Sequence, residues 1–250
     1  MYRVFIHRGT GNLGDAIQTI ALCRLLGKPC RGVYRDSRYP VDGPLLVANG
    51  WLGHRGPDRF PPALFAGIHL AWHEGAFTEW MRRSEFPIGA RDSYTKSVLG
   101  PYGIGAEMAG CATLTFERYQ GARRGRYSID AREAPGAVAL TNEIGNLAWP
   151  KQWTRASELL ELLRRAELVY TSRLHVALPC LAFGTPVIFP AGEFERLRDK
   201  ERLTILGEAD FRFGEAVTAD VTALAGRYVR FVENALGKMK PTRRPRCPAP

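Results

Sequence analysis

Leu168-Val-Tyr-Thr-Ser172-Arg-Leu-His175-Val-Ala-Leu-Pro179-Cys-Leu-Ala-Phe-Gly184-Thr-Pro-Val-Ile188 is the stretch that decides the fold. An apolar run at Leu168–Thr171 leads directly into an apolar stretch of helical length, Arg173–Phe183, which stops at Gly184; a second short apolar run, Pro186–Phe189, follows. Strand, helix and strand at this spacing make a parallel crossover, the unit of an α/β fold. Ligands of such sheets sit at the carboxyl ends of strands, so the turn at Thr171–His175 is where function is expected. Ser172 is a good N-cap residue, and Arg173 and His175 fall in the first helical turn. Backbone N–H groups, the helix dipole and a guanidinium converge there on a favourable anion site. The dipole disfavours protonated His175, leaving its imidazole available as a base. Pro179 cannot donate to the carbonyl of His175, so the helix is expected to be distorted near that residue. A lone histidine at a helix start would ordinarily satisfy local hydrogen bonds; here Ser, Arg and His cluster at a strand end, which favours function.

The same alternation extends outward. Tyr2–Ile6 reads as a strand, followed by a glycine-rich turn and an amphipathic helix at Ala16–Leu26. Arg31–Tyr34, Pro44–Ala48 and Gly67–Ala71 read as short strands. Ile88–Asp92 reads as a strand running into a loop, then a helix through Leu99 that stops at Gly100-Pro101, then a strand at Glu107–Leu114. Residues 117–135, with Arg123-Arg124-Gly125-Arg126, break the rhythm and mark an expected boundary between lobes. Beyond it come a strand at Val138–Thr141, a helix at Arg155–Arg165 and a mostly helical Val217–Leu236. The expected organisation is a first lobe over 1–120, a second over 121–236 and a basic, Pro-rich flexible tail over 237–250.

The first turn, Gly9-Thr-Gly11-Asn12-Leu-Gly14-Asp15, has the form G-x-G-x-x-G after a strand and before a helix, and Asp36 lies where a ribose-binding acid would be expected. An NAD(P)-dependent oxidoreductase is therefore one reading. Asp15 weakens it, because a carboxylate beside the third glycine would repel a pyrophosphate. Asp15 either caps the helix or orients a ligand hydroxyl. A tight turn with a capped helix and no ligand is a third possibility.

The chain has 250 residues, 45% hydrophobic and 24% charged, and can bury a sizeable core. No run approaches the roughly 20 apolar residues of a membrane span, and the N-terminal run has no apolar core of signal-peptide length. Five cysteines, odd in number and scattered, fit neither a disulfide framework nor a zinc pattern. A reducing cytoplasm is expected. Of 35 basic residues only six are lysine. Guanidinium forks suit carboxylate and phosphate, although arginine-rich codon usage would account for many surface positions. A non-catalytic polyanion binder using this excess is a further reading, with nucleic acid not expected as a partner. The tail would act, if at all, by holding the chain near anionic lipid.

Several motifs together resemble the polysaccharide pyruvyl transferase family. Ser172-Arg-Leu-His175 with Ala182-Phe-Gly-Thr-Pro186-Val-Ile resembles its C-terminal signature. Gly11-Asn-Leu-Gly-Asp15 resembles its N-terminal G-N-x-G-D turn. Ala90-Arg91-Asp92-Ser93, with Leu99 and Gly103-Ile104, resembles its central segment, and Gly110-Cys-Ala-Thr-Leu-Thr115 the strand end that follows. The resemblance implies two Rossmann-like lobes around a cleft, related to the two-lobed (GT-B-like) glycosyltransferase architecture. It implies transfer of pyruvate from phosphoenolpyruvate, as co-substrate and without a further cofactor, to two hydroxyls of a saccharide or its lipid-linked precursor. A glycosyltransferase using a nucleotide sugar is the alternative on the same architecture.

On this reading His175 is the general acid/base and Arg91 grips the anionic donor, with Arg173, Ser172 and Leu174 beside it. Gly11, Asn12, Gly14, Asp15 and Arg8 lie on the acceptor side, and His7 faces the same cleft. His69, His73 and Glu74 form a loose trio without metal-ligand spacing, and no metal is expected. Arg196, Arg198 and Lys200 add charge or form a solvated face. Trp51, Trp72, Trp80, Trp149 and Trp153 are stacking candidates, Trp51 first among them.

Overall fold

The computed structural model describes residues 1–7, 11–35, 43–53, 59–71, 75–132, 134–196 and 200–237, with position 196 by backbone only. Arg8, Gly9, Asp36, Trp72, His73, Glu74, Arg198 and the tail from 238 lie outside them, as does the side chain of Arg196.

In chain order the first half comprises β1 (Tyr2–Ile6), β2 (Gly11–Asn12), α1 (Leu13–Leu26), β3 (Cys30–Tyr34), β4 (Leu46–Leu52) and β5 (Ala63–Leu70), then α2 (Ala76–Arg82), β6 (Ile88–Ala90), α3 (Ser93–Leu99) and β7 (Ala106–Met108). The second half comprises β8 (Arg126–Ile129), β9 (Val138–Leu140), β10 (Glu143–Gly145), α4 (Trp149–Arg165), β11 (Leu168–Thr171), α5 (Leu174–Phe183) and β12 (Val187–Ile188), followed by α6 (Ala191–Arg196), α7 (Thr204–Gly207) and α8 (Thr222–Gly237). Six strands form one sheet in the order β3-β1-β4-β5-β6-β7, and four form a second in the order β12-β11-β8-β9. Every pairing within both sheets is parallel. In each sheet the first strand has its successors on both sides. The strand order therefore reverses beside β1 and beside β8, where α/β ligand sites form. A short antiparallel pair, β2 with β10, ties the halves together.

Successive residues of the first sheet enter opposite layers, as strand geometry requires. Val4, Val47 and Leu64 join the layer containing α1, while Phe5, Leu46 and Phe65 join Phe77, Trp80 and Met81 of α2. Both faces are covered, so these strands read as continuous apolar runs. α1 is apolar nearly all round, because it lies between the first sheet and the helices α4 and α5 of the second half. One hydrophobic cluster consequently runs through both halves, from Val4 through Ile17 and Ile20 to Leu160, Leu163, Val176 and Val187. α8 packs back on the first sheet, where the Tyr228 hydroxyl donates to the Ala66 carbonyl at 3.0 Å. No described helix is long and apolar enough to cross a membrane.

Several expectations need correction. The stretch 117–135 contains β8, an inner strand of the second sheet with β11 and β9 on either side. Only Ser128 and Ile129 of that strand are buried, and its arginine-rich approach hides it. The expected strand at Glu107–Leu114 ends at Met108, where two consecutive amides, of Ala109 and Gly110, donate to the Ala90 carbonyl and the chain turns into a 3-10 segment at Ala112–Thr115. α4 starts at Trp149 rather than Arg155, with Pro150 in its first turn, a position that tolerates proline. α2 was not expected at all.

Candidate active site

The candidate site collects the carboxyl ends of several strands. His7 follows β1, His69 closes β5, Arg91 and Asp92 follow β6, and Ser172 to His175 follow β11. His175 lies against the first turn of α1, where a Cβ on Gly14 would sit 3.1 Å from its Cβ and 3.3 Å from its Nδ1. The absent side chain of Gly14 is thus the space that the ring uses. His175 Nε2 is shielded from solvent and has no hydrogen-bond partner among the described residues. Burial, reinforced by the charges of Arg91 and Arg202 and then by His69 and His7, pushes the imidazole well below the ordinary histidine pKa. These surroundings favour the neutral ring, and a bound anion would favour its protonation instead.

The local sequence explains each placement. In α5, His175 departs from helical geometry (φ −83°, ψ 18°), with Pro179 four residues on, in agreement with the expected distortion. In β5 a bulge at Gly67 (φ +73°) shifts the register between Ala66 and Ile68. Leu64 and Ala66 face α1, but after the bulge Ile68 and Leu70 face α2. His69 therefore points to the α1 side instead of into the apolar α2 layer. Its Nδ1 meets Asp92 Oδ2 at 2.8 Å. Asp92 is the N-cap of α3: its Oδ1 accepts from the Thr95 amide at 2.9 Å and from the Thr95 hydroxyl at 2.7 Å, while Arg91 Nε donates to Oδ2 at 3.0 Å. Burial alone would raise the Asp92 pKa, but Arg91 and the His69 bond more than offset it and hold the carboxyl at about 2. Arg91 is fully buried and its Nη2 reaches the Arg202 carbonyl at 3.5 Å.

Across the site the second half is clamped to α1. The N-cap of α1 is Asn12, whose Oδ1 accepts from the Gly14 amide at 2.8 Å, so Asp15 is not the cap. Asn142 Nδ2 donates to the same oxygen, and the Asn142 carbonyl accepts from the Leu13 amide at 2.9 Å. Asp130, which follows β8 in the left-handed region (φ +55°), takes the Asn142 amide at 3.1 Å and Arg173 Nε at 2.8 Å. Arg173 Nη2 bonds Glu143 at 2.6 Å, so two carboxylates occupy its fork. Ser172 does not cap α5 either: Arg173 is the N-cap residue, and the Ser172 hydroxyl donates to the Asp130 carbonyl at 2.8 Å.

Asp15 lies 3.8 Å from both His7 Nδ1 and Arg35 Nη1. Arg35 lies over the Trp51 ring at 5.5 Å and donates to the Trp51 carbonyl. Trp149 stands 6.2 Å from His7 and edge-on to the partly exposed Trp153. Trp80 is buried in the α2 layer, bonded to the Pro61 carbonyl, and cannot stack on a ligand. Lys200 pairs with Glu195 on the surface. Among the described residues, no group of three or more His, Cys, Asp or Glu side chains is placed to hold a metal ion. Sequence reasoning missed Arg202, Asp130 and Asn142. Arg202 sits just past a basic cluster, Asn142 in a polar loop and Asp130 in the stretch expected to hold the boundary between lobes, and none carries a motif.

The family model described as polysaccharide pyruvyl transferase matches residues 12–189, which contain most of these side chains. Among solved structures, an uncharacterized protein from Klebsiella pneumoniae subsp. pneumoniae NTUH-K2044 superposes with a TM-score of 0.50 at 11% identity, over 84% of this chain and 89% of that one. At that identity the likeness is one of α/β fold. No curated protein is significantly similar in sequence.

Proposed function

Because this chain belongs to the polysaccharide pyruvyl transferase family, we propose that it moves the pyruvyl group of phosphoenolpyruvate onto two hydroxyls of a saccharide, closing a cyclic ketal and releasing phosphate. The observation that carries this reading is the buried, unpartnered Nε2 of His175 with Arg91 and Arg202 beside it. Such a ring takes the proton of an attacking hydroxyl, while guanidinium groups offset the charge of the donor's carboxylate and phosphate. The bound anion in turn favours the protonated ring, so the same histidine can release that proton later in the cycle.

Arg91 and the start of α5 at Leu174 hold the donor. Arg173, committed to Asp130 and Glu143, braces that start together with Ser172. Gly11, Asn12, Gly14 and Asp15 form the acceptor side, with Asp15 orienting a hydroxyl near His7. Two parallel sheets with a site at their junction support a relation to the two-lobed glycosyltransferase architecture, with 1–120 on the acceptor side and 121–236 on the donor side. Phosphoenolpyruvate as donor places the reaction in the cytoplasm, and the tail contributes at most attraction to anionic lipid.

The test is mass spectrometry of saccharides incubated with the chain and phosphoenolpyruvate. A gain of one pyruvate less one water, with matching phosphate release, is expected. Turnover of a nucleotide sugar with none of phosphoenolpyruvate would overturn the reading. His175→Ala should lower turnover by about 10²–10⁴-fold while phosphoenolpyruvate still binds by calorimetry, and His175→Gln should be nearly as inactive. Loss of donor binding in both variants would move His175 into the anion site.

A further inference from the structure

We propose that Cys23 and Cys30 form a redox modification site, a dithiol that low-molecular-weight disulfides convert reversibly into an intramolecular disulfide. The inference stands apart from the pyruvyl-transfer reading and concerns a different region of the chain.

The fold, rather than a sequence motif, makes this pair. Six residues separate the two cysteines, a spacing unlike the C-x-x-C of dithiol oxidoreductases. Cys23 lies in the last turn of α1, and Cys30 opens β3, the edge strand of the six-stranded sheet. Gly27 ends the helix in the left-handed region (φ +56°), and the Tyr2 amide donates to the Pro29 carbonyl at 3.2 Å. That reversal carries Cys30 back beside the end of α1. Both cysteines line one cavity of about 190 Å³, together with Trp149 and Trp153 of α4. There the Cys23 thiol is hydrogen-bonded to Cys30. The Cys30 thiol in turn donates to the Lys28 carbonyl at 3.3 Å.

Exposure separates this pair from the other described cysteines. Cys111 and Cys180 are buried and their thiols are pushed up by that burial, which leaves them inert. Cys23 and Cys30 are both partly exposed. Burial first, then the charge and the hydrogen bond of Cys30, push the Cys23 thiol up to about 12. Cys23 therefore keeps its proton, and Cys30 is the sulfur that attacks first. Once Cys30 is captured, its charge and its hydrogen bond no longer hold the proton on Cys23, which ionises more readily and attacks in turn.

The exchange balances. Cys30 Sγ, as thiolate, bonds to one sulfur of the small disulfide and breaks its S–S bond, releasing one small thiolate. Cys23 Sγ, as thiolate, then bonds to Cys30 Sγ and expels the second. The two cysteine protons end on the two small thiols, so the pair loses two electrons and the small disulfide gains them. The new bond ties together two elements that meet again at the candidate site, where Asp15 of α1 lies 3.8 Å from Arg35, just beyond β3.

The experiment equilibrates the reduced, folded full chain with mixtures of reduced and oxidised glutathione. Remaining thiols are then blocked and the peptides mapped by mass spectrometry. A Cys23–Cys30 cross-link is expected, reversed by dithiothreitol and formed at least about tenfold faster than any adduct at Cys111 or Cys180. Cys23→Ser should stop at one glutathione on Cys30. Cys30→Ser should react at Cys23 at least about tenfold more slowly than wild type reacts. Cys247→Ser should oxidise as wild type does, which excludes the tail thiol as the partner. No Cys23–Cys30 cross-link at any glutathione ratio, or one formed only in urea, overturns the proposal. Preferential linkage of either cysteine to Cys247, or a wild-type rate in Cys30→Ser, overturns it too. If neither serine variant at 23 or 30 folds, the wild-type map decides: a native cross-link supports the proposal, and its absence overturns it. A chain that transfers pyruvate but forms no cross-link fails only this inference, and the converse fails only the reading of the reaction.

Discussion

At Gly14 one absent carbon sets the position of His175. A methyl there would meet Asn12 Oδ1 at 3.0 Å and His175 Cβ at 3.1 Å. Gly14→Ala should gain up to about 1 kcal/mol of helix propensity, yet displace the imidazole and lower kcat by about tenfold or more. Equal kcat in the variant would show that the contact does not tune the ring. Asp92 offers a stability test. Its carboxyl is held at about 2 against 3.8 in an unfolded chain, which is worth on the order of 2 kcal/mol of folding free energy. A depressed carboxylate contributes fully above the unfolded value and loses its contribution as pH falls through the folded one. Asp92→Asn should therefore be less stable than wild type at neutral pH, with the gap in urea midpoints narrowing between pH 4 and pH 2. A gap independent of pH would assign the loss to hydrogen bonding alone. His175 and Arg91 were legible in the sequence because each follows a strand within a recognisable motif. His69 was visible only as a residue in a loose trio, since its partner Asp92 comes from a different strand end 23 positions away.

At the scale of elements, α5 gives up regularity at His175. Pro179→Ala would restore an amide that can donate to the His175 carbonyl and let residue 175 relax to helical geometry. The variant should melt at a higher temperature by differential scanning calorimetry, with lower turnover. A rise in both would detach the kink from catalysis. This distortion was readable from spacing alone, because a proline blocks a hydrogen bond four residues back wherever the helix lies. The bulge in β5 was not, since Gly67 in an apolar strand looks the same whether or not the register slips. β8 was hidden for a different reason. Its neighbours β11 and β9 stabilise it through backbone pairing, so Arg126 and Tyr127 need not be apolar. The helix start at Trp149 eluded the periodicity because its first turns carry polar residues and a proline.

Over the whole molecule, α1 is shared by both sheets, and α8 returns from the second half to the first. The halves should therefore unfold together. Scanning calorimetry should show one transition with calorimetric and van't Hoff enthalpies equal, and two resolved transitions would show that each half carries its own core. Parallel sheets and two-sided helices were legible from the alternation of apolar runs, but the joint between halves was not. It depends on pairings such as Asn12 with Asn142, which lie 130 positions apart. The two-sided burial of α1 also bears on how the chain is made. Its first apolar face can dock on β1 and β4 early in synthesis, whereas the later of the two helices that cover its other face, α5, ends at Phe183. At a translation speed of about 5–20 residues per second, the interval is about 7–26 s. Throughout it the nascent chain presents an apolar helix to its surroundings, and each ribosome must deliver most of the protein before that surface is sheltered.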